Sequence, residues 1–217
     1  ELKHLTNGTG LTRVFDMASG NNRLSTMTIA SDQPASTQYA YMYDANGNMT
    51  QETTSRHFEW DHADRMKSFR TQVGTSEPSV HAHYLYDSAG QRVKKLVRKK
   101  GGQREVTIYV DGIFEHKRIV QGKAIQDNNC LHVMDNQSRI AIVRLGKAFH
   151  LGSSNVVVGD DGNVINREEY TPYGETSFGS FSLKRYRFTG KEKDEESGLH
   201  YHVARYYHPW ACRWVTC

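Results

Sequence analysis

The sequence predicts an all-β protein built from stacked antiparallel hairpins, on the strength of three observations. An aromatic residue followed by aspartate and then a turn occurs three times. No segment shows a sustained apolar period of 3.6 residues. Eighteen glycines against four prolines indicate many tight turns and few rigid linkers. A strand–turn–strand unit that repeats in this way is typical of architectures made by stacking neighbouring units.

The repeated motif places an aspartate at the start of each turn. Its copies run through 41–49, 58–66 and 84–93, and a fainter copy runs from Phe15 to Leu24. Alternate residues before the turn fall on one face of a strand, and the aspartate can accept hydrogen bonds from its own turn. Glycine in two copies can adopt a positive φ. The motif residues are Tyr43, Asp44, Gly47, Trp60, Asp61, Tyr86, Asp87 and Gly90.

Strands are predicted in order along the chain. The first are 38–43, 80–86, 93–98, 106–110 and 114–120, with Asp111-Gly112 as a two-residue turn. Residues 122–129 are predicted to be a polar connection. Hairpins then follow at 132–135 with 140–144, and at 155–158 with 164–170. The short segment 191–197 is the best helical candidate.

Composition narrows the class of protein. The chain has no run of about 18 apolar residues and no apolar segment near its start, so neither a membrane helix nor a signal peptide is predicted. The three cysteines contain no Cys-x-x-Cys pair, which favours free thiols over a disulfide framework. No phosphate-binding glycine loop occurs, and no cofactor is predicted.

The net charge of +4 is unevenly spread, because basic residues crowd the predicted hairpin between 94 and 104. A nucleic-acid surface is one interpretation. The run lacks interleaved aromatic residues that could stack on bases. It therefore favours a soluble hairpin tip that charge protects from pairing edge to edge.

The last fifty residues change character: glycine-punctuated turns carry aromatic residues together with Arg and Glu. They contain YTPYGE at 170–175, YRFTGKEKDEESGL at 186–199 and ARYYHPWACRW at 204–214. With the repeats, these segments resemble the RHS repeat-associated core of the RHS/YD-repeat family, which includes polymorphic toxins, insecticidal toxin-complex C components and, more distantly, teneurins. The residues that carry the resemblance are Tyr173, Arg187, Phe188, Gly190, Glu192, Arg205, Tyr206, Tyr207, Pro209, Trp210, Arg213 and Trp214.

The resemblance implies a β-sheet strip that spirals into a hollow shell around a toxic polypeptide, with the core motif plugging one end. It also implies the organisation of the chain: YD-repeat hairpins at 1–120, continuing hairpins at 121–169 and the core motif at 170–217. In the family the core acts as an aspartyl autoprotease. His208 stands where many relatives have Asp, and the Asp-Pro expected after 213–217 is not in this sequence. No catalytic residue is therefore carried over.

These features predict a structural module without catalysis, secreted or at the cell surface. Its expected partners are a polypeptide effector or other shell subunits. Arg187, Glu192, Arg205 and Arg213 are expected in buried ion pairs, since the planar guanidinium suits carboxylates where water is excluded. Arg205→Ala should then lower the melting temperature strongly.

Two alternatives come from other classes. A teneurin-like module would bind glycan or protein through exposed aromatics, with Trp60, Trp210 or Trp214 reporting on the ligand. A hydrolase would use metal or cysteine. Two pairs of histidines share a strand face, and cysteines lie near histidines in the last residues, but no His-Glu-x-x-His motif supports such a site. The residues concerned are His81, His83, His200, His202, His208, Cys212 and Cys217.

Assembly is the last expectation. The segments 140–143 and 155–158 carry no charge and are rich in β-branched residues. Such strands pair with others when they lie at an edge. The isolated chain is therefore predicted to self-associate through them or to be part of a larger assembly.

Overall fold

The computed structural model describes residues 2–6, 9–31, 36–135, 139–145, 150–152, 156–158, 163–179 and 185–216. Across these ranges sixteen strands form one open antiparallel sheet in which each strand pairs with the next along the chain. A two-stranded and a four-stranded sheet follow. The described ranges contain two 3₁₀ turns, Thr53–Ser55 and Phe188–Gly190, and no α-helix. The all-β prediction of stacked hairpins is confirmed.

The strands of the large sheet are β1 (Leu2–Thr6), β2 (Thr9–Met17), β3 (Leu24–Ser31), β4 (Thr37–Tyr43), β5 (Met49–Glu52), β6 (Arg56–Trp60), β7 (Met66–Thr71), β8 (Val80–Tyr86), β9 (Arg92–Lys99), β10 (Arg104–Val110), β11 (Phe114–Gln121), β12 (Ala124–Met134), β13 (Arg139–Leu145), β14 (His150–Gly152), β15 (Val156–Val158) and β16 (Val164–Arg167). The small sheets contain β17 (Glu169–Tyr170) with β18 (Thr176–Phe178), and β19 (Glu192–Lys193), β20 (His200–His202), β21 (Arg205–His208) and β22 (Arg213–Trp214). No helix in the described part of the chain is long and apolar enough to cross a membrane.

Three local predictions are wrong. The turn after β10 is one residue longer than predicted, because Val110 pairs with Phe114. Most of 122–129 belongs to β12, in which Asp127 forms an ion pair with Arg118 of the neighbouring strand at 2.8 Å. Cross-strand polar pairs of this kind stabilise a strand that lacks apolar alternation. The helical candidate 191–197 instead contains β19 and a turn.

The prediction of uncharged edge strands is also wrong. β13 pairs with both β12 and β14, and β15 pairs with both β14 and β16. The short strand β14, which the sequence did not indicate, lies between them. Residue 155 and the turns at 136–138 and 160–162 lie outside the described residues. In the described sheet the strands with one open side are β1 and β16.

One turn geometry recurs six times among the described residues. The N–H of the first residue donates to the carbonyl of the fifth, and the N–H of the fourth donates to the carbonyl of the first. In the aspartate copies the carboxylate also accepts main-chain N–H groups, as Asp44 does from Asn48 at 2.9 Å. Three of the six were predicted as turns but not as copies of the repeated motif, although glycine at the fourth position marks each of them. The first residues of the six turns are Asp44, Asp61, Asp87, Lys99, Thr171 and Arg187.

Polar side chains link successive turns along one rim of the sheet. Arg23 donates to the carbonyl of Ala45 at 3.3 Å, in the turn that starts at Asp44. Asn48 of that turn donates to Asp64 in the next one at 2.7 Å. Arg65 donates onward to the carbonyl of Asp87 at 3.2 Å. Asp64 occupies the fourth turn position with a φ of 57°, where the neighbouring turns have glycine. Alternate hairpins are thus tied to one another by their turns.

One face of the sheet carries the core. Leu24, Met27, Phe58 and Phe69 on the strands are almost fully buried. The covering residues come from the C-terminal segment 185–216, which we call the core segment, and Tyr206 is its largest fully buried side chain. The opposite face is solvated and carries isolated apolar side chains. The hydrophobic core therefore lies between the repeat strands and the core segment.

Gly174→Ala is expected to destabilise the fold by about 2 kcal/mol. Gly174 has a φ of 84°, which costs an L-residue about 1–2 kcal/mol, and an added Cβ would approach the ring of Phe188 to about 2.5 Å. Gly90→Ala is the matched control, because Gly90 has the same turn position and a φ of 80° but open space around it. Denaturant unfolding should show the larger loss for Gly174→Ala, and equal losses would contradict the contact with Phe188.

Candidate functional site

The candidate site is the buried interface at which the core segment meets the large sheet. Acidic and basic side chains from both sides form ion pairs there. We call this group the charge cluster, and its members are Arg92, Lys95, Glu115, Arg185, Glu192, Asp194 and Glu196.

Strand β9 brings two cations to the cluster. Residues of a strand alternate between its two faces, so Lys95 and Val97 point into the protein while Lys94 and Arg98 are exposed. Arg92 at the start of the strand is also buried. The basic hairpin predicted as a soluble tip is therefore two-sided, and one of its faces carries charge into the interior.

Carboxylates of the core segment pair with both cations. Arg92 binds Glu192 and Asp194 through its two terminal nitrogens, each at 2.7 Å. Lys95 lies 2.7 Å from Asp194 and 3.3 Å from Glu192. The Arg92, Glu192 and Asp194 side chains are no more than 3% exposed. Arg92 thus bridges two carboxylates by charge-assisted hydrogen bonds in two directions, which fix position as well as charge, so they set the register of the core segment on the sheet.

A second group extends the cluster across β11 and β12. Arg185 forms ion pairs with Glu115 and, at 3.4 Å, with Glu192. His132 Nε2 lies 2.9 Å from Glu115, and the hydroxyl of Tyr186 donates to the same carboxylate. The Glu115 carboxylate therefore accepts hydrogen bonds from both sides of the interface.

The pKa values of the acids follow from their surroundings. Burial alone would raise the pKa of Glu192, but the charges of Lys95, Arg92 and Arg185 outweigh it and lower that pKa. Arg185 and His132 likewise outweigh burial and lower the pKa of Glu115. Glu196 differs, because burial raises its pKa and Lys95 offsets this only in part. The hydroxyl of Tyr84 donates to Glu196 at 3.0 Å.

Further pairs anchor the C-terminal third to the first strands. Arg13 of β2 binds Glu175 at 2.6 and 2.9 Å, and its guanidinium lies 3.9 Å from the ring centre of Trp210. His208 lies 3.2 Å from Glu52, and both are buried. The contacts thus run from β2 to β12.

The four residues expected in buried ion pairs differ in their burial and in their partners. Arg187 binds the fully buried Glu168 at 2.6 Å, and Glu192 lies in the charge cluster. Arg213 is half-buried and donates to the carbonyl of Asn22 at 3.1 Å. The expectation is wrong for Arg205, which is exposed and lies 4.3 Å from the ring centre of Trp214. Alternation along β21 turns the neighbouring Tyr206 inward and Arg205 outward.

Arg205→Ala is accordingly expected to change the free energy of unfolding by less than about 1 kcal/mol, because it removes an exposed cation–π contact. Arg187→Ala should cost several times more, since it leaves the Glu168 carboxylate buried without its guanidinium. Thermal unfolding of the two variants side by side tests this order. Equal losses would show that Arg205 has a buried role after all.

Most aromatic residues of the motifs pack within the protein, whereas Tyr173 and Trp214 are exposed. Trp60 donates its indole N–H to the carbonyl of Met49 at 2.8 Å. Trp214 packs edge-on against His202 and Tyr207 at 4.9 and 5.4 Å, and it is 37% exposed. The internal contact of Trp60 weakens the interpretation that this residue binds a glycan. The remaining motif residues Tyr43, Tyr86, Tyr206 and Trp210 belong to the core, Pro209 is buried, and Tyr173 accepts a hydrogen bond from Tyr207 at its carbonyl.

The described residues form neither a metal site nor a reactive cysteine that would support the hydrolase alternative. His81 and His83 stack with ring centres 4.2 Å apart, but no group of three His, Cys, Asp or Glu side chains in the described ranges could hold a metal. Burial raises the pKa of the Cys212 thiol, which disfavours the reactive thiolate. Cys217 lies outside the described residues.

The sequence analysis identified one of the seven members of the charge cluster. Glu192 was singled out, but its partners Arg92 and Lys95 were not, and neither was Glu115. The available signal was weak: Glu115 lies at an inward position of a strand, where a charge requires a buried partner.

An open antiparallel sheet of repeated hairpins, covered on one face by a core segment with these motifs, is the fold that the RHS/YD-repeat resemblance predicts. The resemblance is supported by similarity to toxin subunits and to the fold of a solved toxin-complex structure. No family model matches the chain.

The chain is similar to two toxin subunits and to a tRNA nuclease. It is 44% identical over 160 residues to toxin subunit YenC2 of Yersinia entomophaga, covering 61% of this chain and 16% of the relative. It is 28% identical over 200 residues to toxin subunit YenC1 of the same organism, covering 80% of this chain and 20% of the relative. The tRNA nuclease WapA of Bacillus subtilis is 29% identical over 180 residues, covering 77% of this chain and 7% of WapA.

Solved structures show the same fold. The crystal structure of TcdB2-TccC3-Cdc42 matches with a TM-score of 0.74 and 20% identity over 96% of this chain and 12% of that chain. TcdB2-TccC3 without its hypervariable C-terminal region matches with a TM-score of 0.73. The chain thus spans 20% or less of each of these relatives.

Proposed function

We propose that this chain is a wall segment of a toxin shell, whose core motif seals one end over an enclosed polypeptide and which has no catalysis of its own. The observation that carries the proposal is the charge cluster, because it locks the core segment onto one face of the sheet. A sheet closed on that face by its own chain can separate an interior from solvent.

The chemistry of the interface suits a seal. Replacing a buried ion pair by apolar residues is often neutral or stabilising, so such a pair is weak evidence for stability alone. Its geometry is directional, however, and Arg92 accepts only one placement of Glu192 and Asp194. The cluster therefore specifies where the core segment sits, which is what a seal requires.

The proposed organisation has three parts: YD-repeat hairpins at 1–120, continuing hairpins at 121–169 and the core motif at 170–217. The large sheet continues without a break from β11 into β12, so the first boundary has no structural counterpart. That boundary rests on the change of sequence alone. The second boundary is supported by the end of that sheet at Arg167, before the separate hairpin of β17 and β18.

The proposed partners are a polypeptide effector and further shell subunits, and the proposed location is outside the producing cell. The relatives support this by name, since YenC1 and YenC2 are toxin subunits. The open sides of β1 and β16 could accept neighbouring strands of such a wall.

Protease protection tests the proposal. The complete reading frame that contains this chain is expressed and digested with a nonspecific protease. We expect a polypeptide outside the shell sequence to survive digestion in the intact protein. Its digestion at the rate of a denatured control would overturn the proposal.

A matched pair of variants links that protection to the seal. Lys95→Met removes a buried charge of the cluster, while Lys94→Met removes the exposed charge next to it. Protection should be lost in Lys95→Met and retained in Lys94→Met. If both variants retained protection although the core segment had been released from the sheet, the core segment would not be the seal.

A further inference from the structure

A cavity of about 890 Å³ adjoins the charge cluster on its β11–β13 side. The turn at 87–91, the turn at 110–112 and residues 189–191 of the core segment surround it. Tyr109, Tyr186 and Tyr201 contribute aromatic walls. A cavity of this size holds a ligand of side-chain dimensions or larger.

Arg139 presents to this cavity a cation that has no ion-pair partner among the described residues. Its Nη1 donates to the carbonyl of Gly190 at 3.0 Å, and its guanidinium stacks on Tyr186 at 3.7 Å. Its Nε is buried without a hydrogen-bond partner, and no carboxylate in the described part of the chain forms an ion pair with it. Burial and the nearby Arg185 lower the pKa of Arg139, an effect that Glu115 and Glu192 only partly offset.

The neighbouring acids have other partners. Glu115 is bound by Arg185, and Glu192 is bound by Arg92 and Lys95. Neither carboxylate is within ion-pair distance of Arg139, although both act on its pKa. A second unpartnered donor in the cavity wall is Nε of Arg92, which is also buried without a hydrogen-bond partner. The cavity wall thus offers two buried guanidinium nitrogens that lack acceptors.

We infer that this cavity binds a carboxylate of the enclosed polypeptide. Arg139 binds the carboxylate, and the tyrosines contact the adjoining side chain of the polypeptide. The inference rests on the proposed function, because it names the part of the polypeptide that the shell holds. A carboxylate supplies the two acceptor oxygens that a guanidinium binds best. Asp87 and Asp111 lie at the exposed rim, where solvent and salt screen their repulsion.

Binding of two blocked peptides tests this directly. The probes are acetyl-Ala-Phe-Glu-Phe-Ala-amide and the same peptide with Gln in place of Glu, titrated calorimetrically into the folded chain. The Glu peptide should bind at least tenfold more tightly than the Gln peptide. Phenylacetate and phenylacetamide form a second arm that distinguishes a free small carboxylate from a peptide one.

Variants at Arg139 complete the test. Arg139→Gln should weaken binding of the Glu peptide at least tenfold. Arg139→Lys, which keeps the charge, should retain most of the affinity for that peptide. Arg118→Gln, at an exposed ion pair, is the control. Equal binding of the Glu and Gln peptides would overturn the site in wild-type protein even if Arg139→Gln failed to fold. Phenylacetate binding as tightly as the Glu peptide would overturn the assignment to a polypeptide. Protease protection is read independently, so its loss and the loss of this site are separable.

Discussion

Arg92→Met is expected to lower the free energy of unfolding by about 3–5 kcal/mol, because it leaves two carboxylates buried without their guanidinium. Glu192 and Asp194 would remain with Lys95 as their nearest cation. The methionine fills part of the volume but supplies no donor. Guanidinium chloride unfolding, followed by tryptophan fluorescence, measures the change.

Arg118→Met is the control for the loss of one positive charge. Its partner is Asp127, and both side chains are exposed by more than a third. Exposed pairs of this kind contribute about 0–1 kcal/mol. If the two variants unfolded at the same denaturant concentration, the charge cluster would have no special role in holding the core segment.

Mild acid is expected to destabilise the protein through His200 and, to a smaller extent because it is less buried, through His202, whose pKa burial also lowers to about 4. His200 is 1% exposed, and burial together with the charges of Lys193 and His202 lowers its pKa to about 4. The unfolded chain binds a proton near pH 6.5, and the folded chain does so only near pH 4. Stability is therefore retained above pH 6.5 and falls through this window, by at most about 3 kcal/mol. Below about pH 4.5 the lowered pKa values of Glu115 and Glu192 add a further loss.

His200→Leu separates the histidine from the carboxylates. The variant should flatten most of the decline between pH 6.5 and 4.5 while leaving the loss at lower pH unchanged. His62→Leu, at an exposed turn, should leave the whole profile as in the wild type. An unchanged slope in His200→Leu would assign the acid sensitivity to other groups.

The strands of the repeat region were predictable because their signals are local. Residues 80–86 were predicted as a strand and form β8. Alternation also predicts that the side chains of β9 divide between two faces, but it does not say which face is buried. Lys94 and Lys95 are chemically identical, so only the docked core segment decides that Lys95 is the buried one.

The core segment was less predictable for a physical reason. Its strands β19 and β22 are two residues long, too short for any periodic pattern. Their conformation follows from contacts with distant residues, such as Arg92 with Glu192, which are 100 positions apart. The resemblance to a family identified the segment, but the partners on the sheet could be identified only from the fold.

The rim of linked turns has a consequence for how such a wall can grow. Each link spans two strands, or about 10 Å of wall, and uses only residues of adjacent turns. An added hairpin therefore brings its own link between turns and leaves the existing links unchanged. The hydrophobic core, by contrast, depends on contacts between the sheet and the core segment, which are distant in sequence. Links that are local and repeated let a sheet of hairpins lengthen by duplication while its edge keeps a constant pitch.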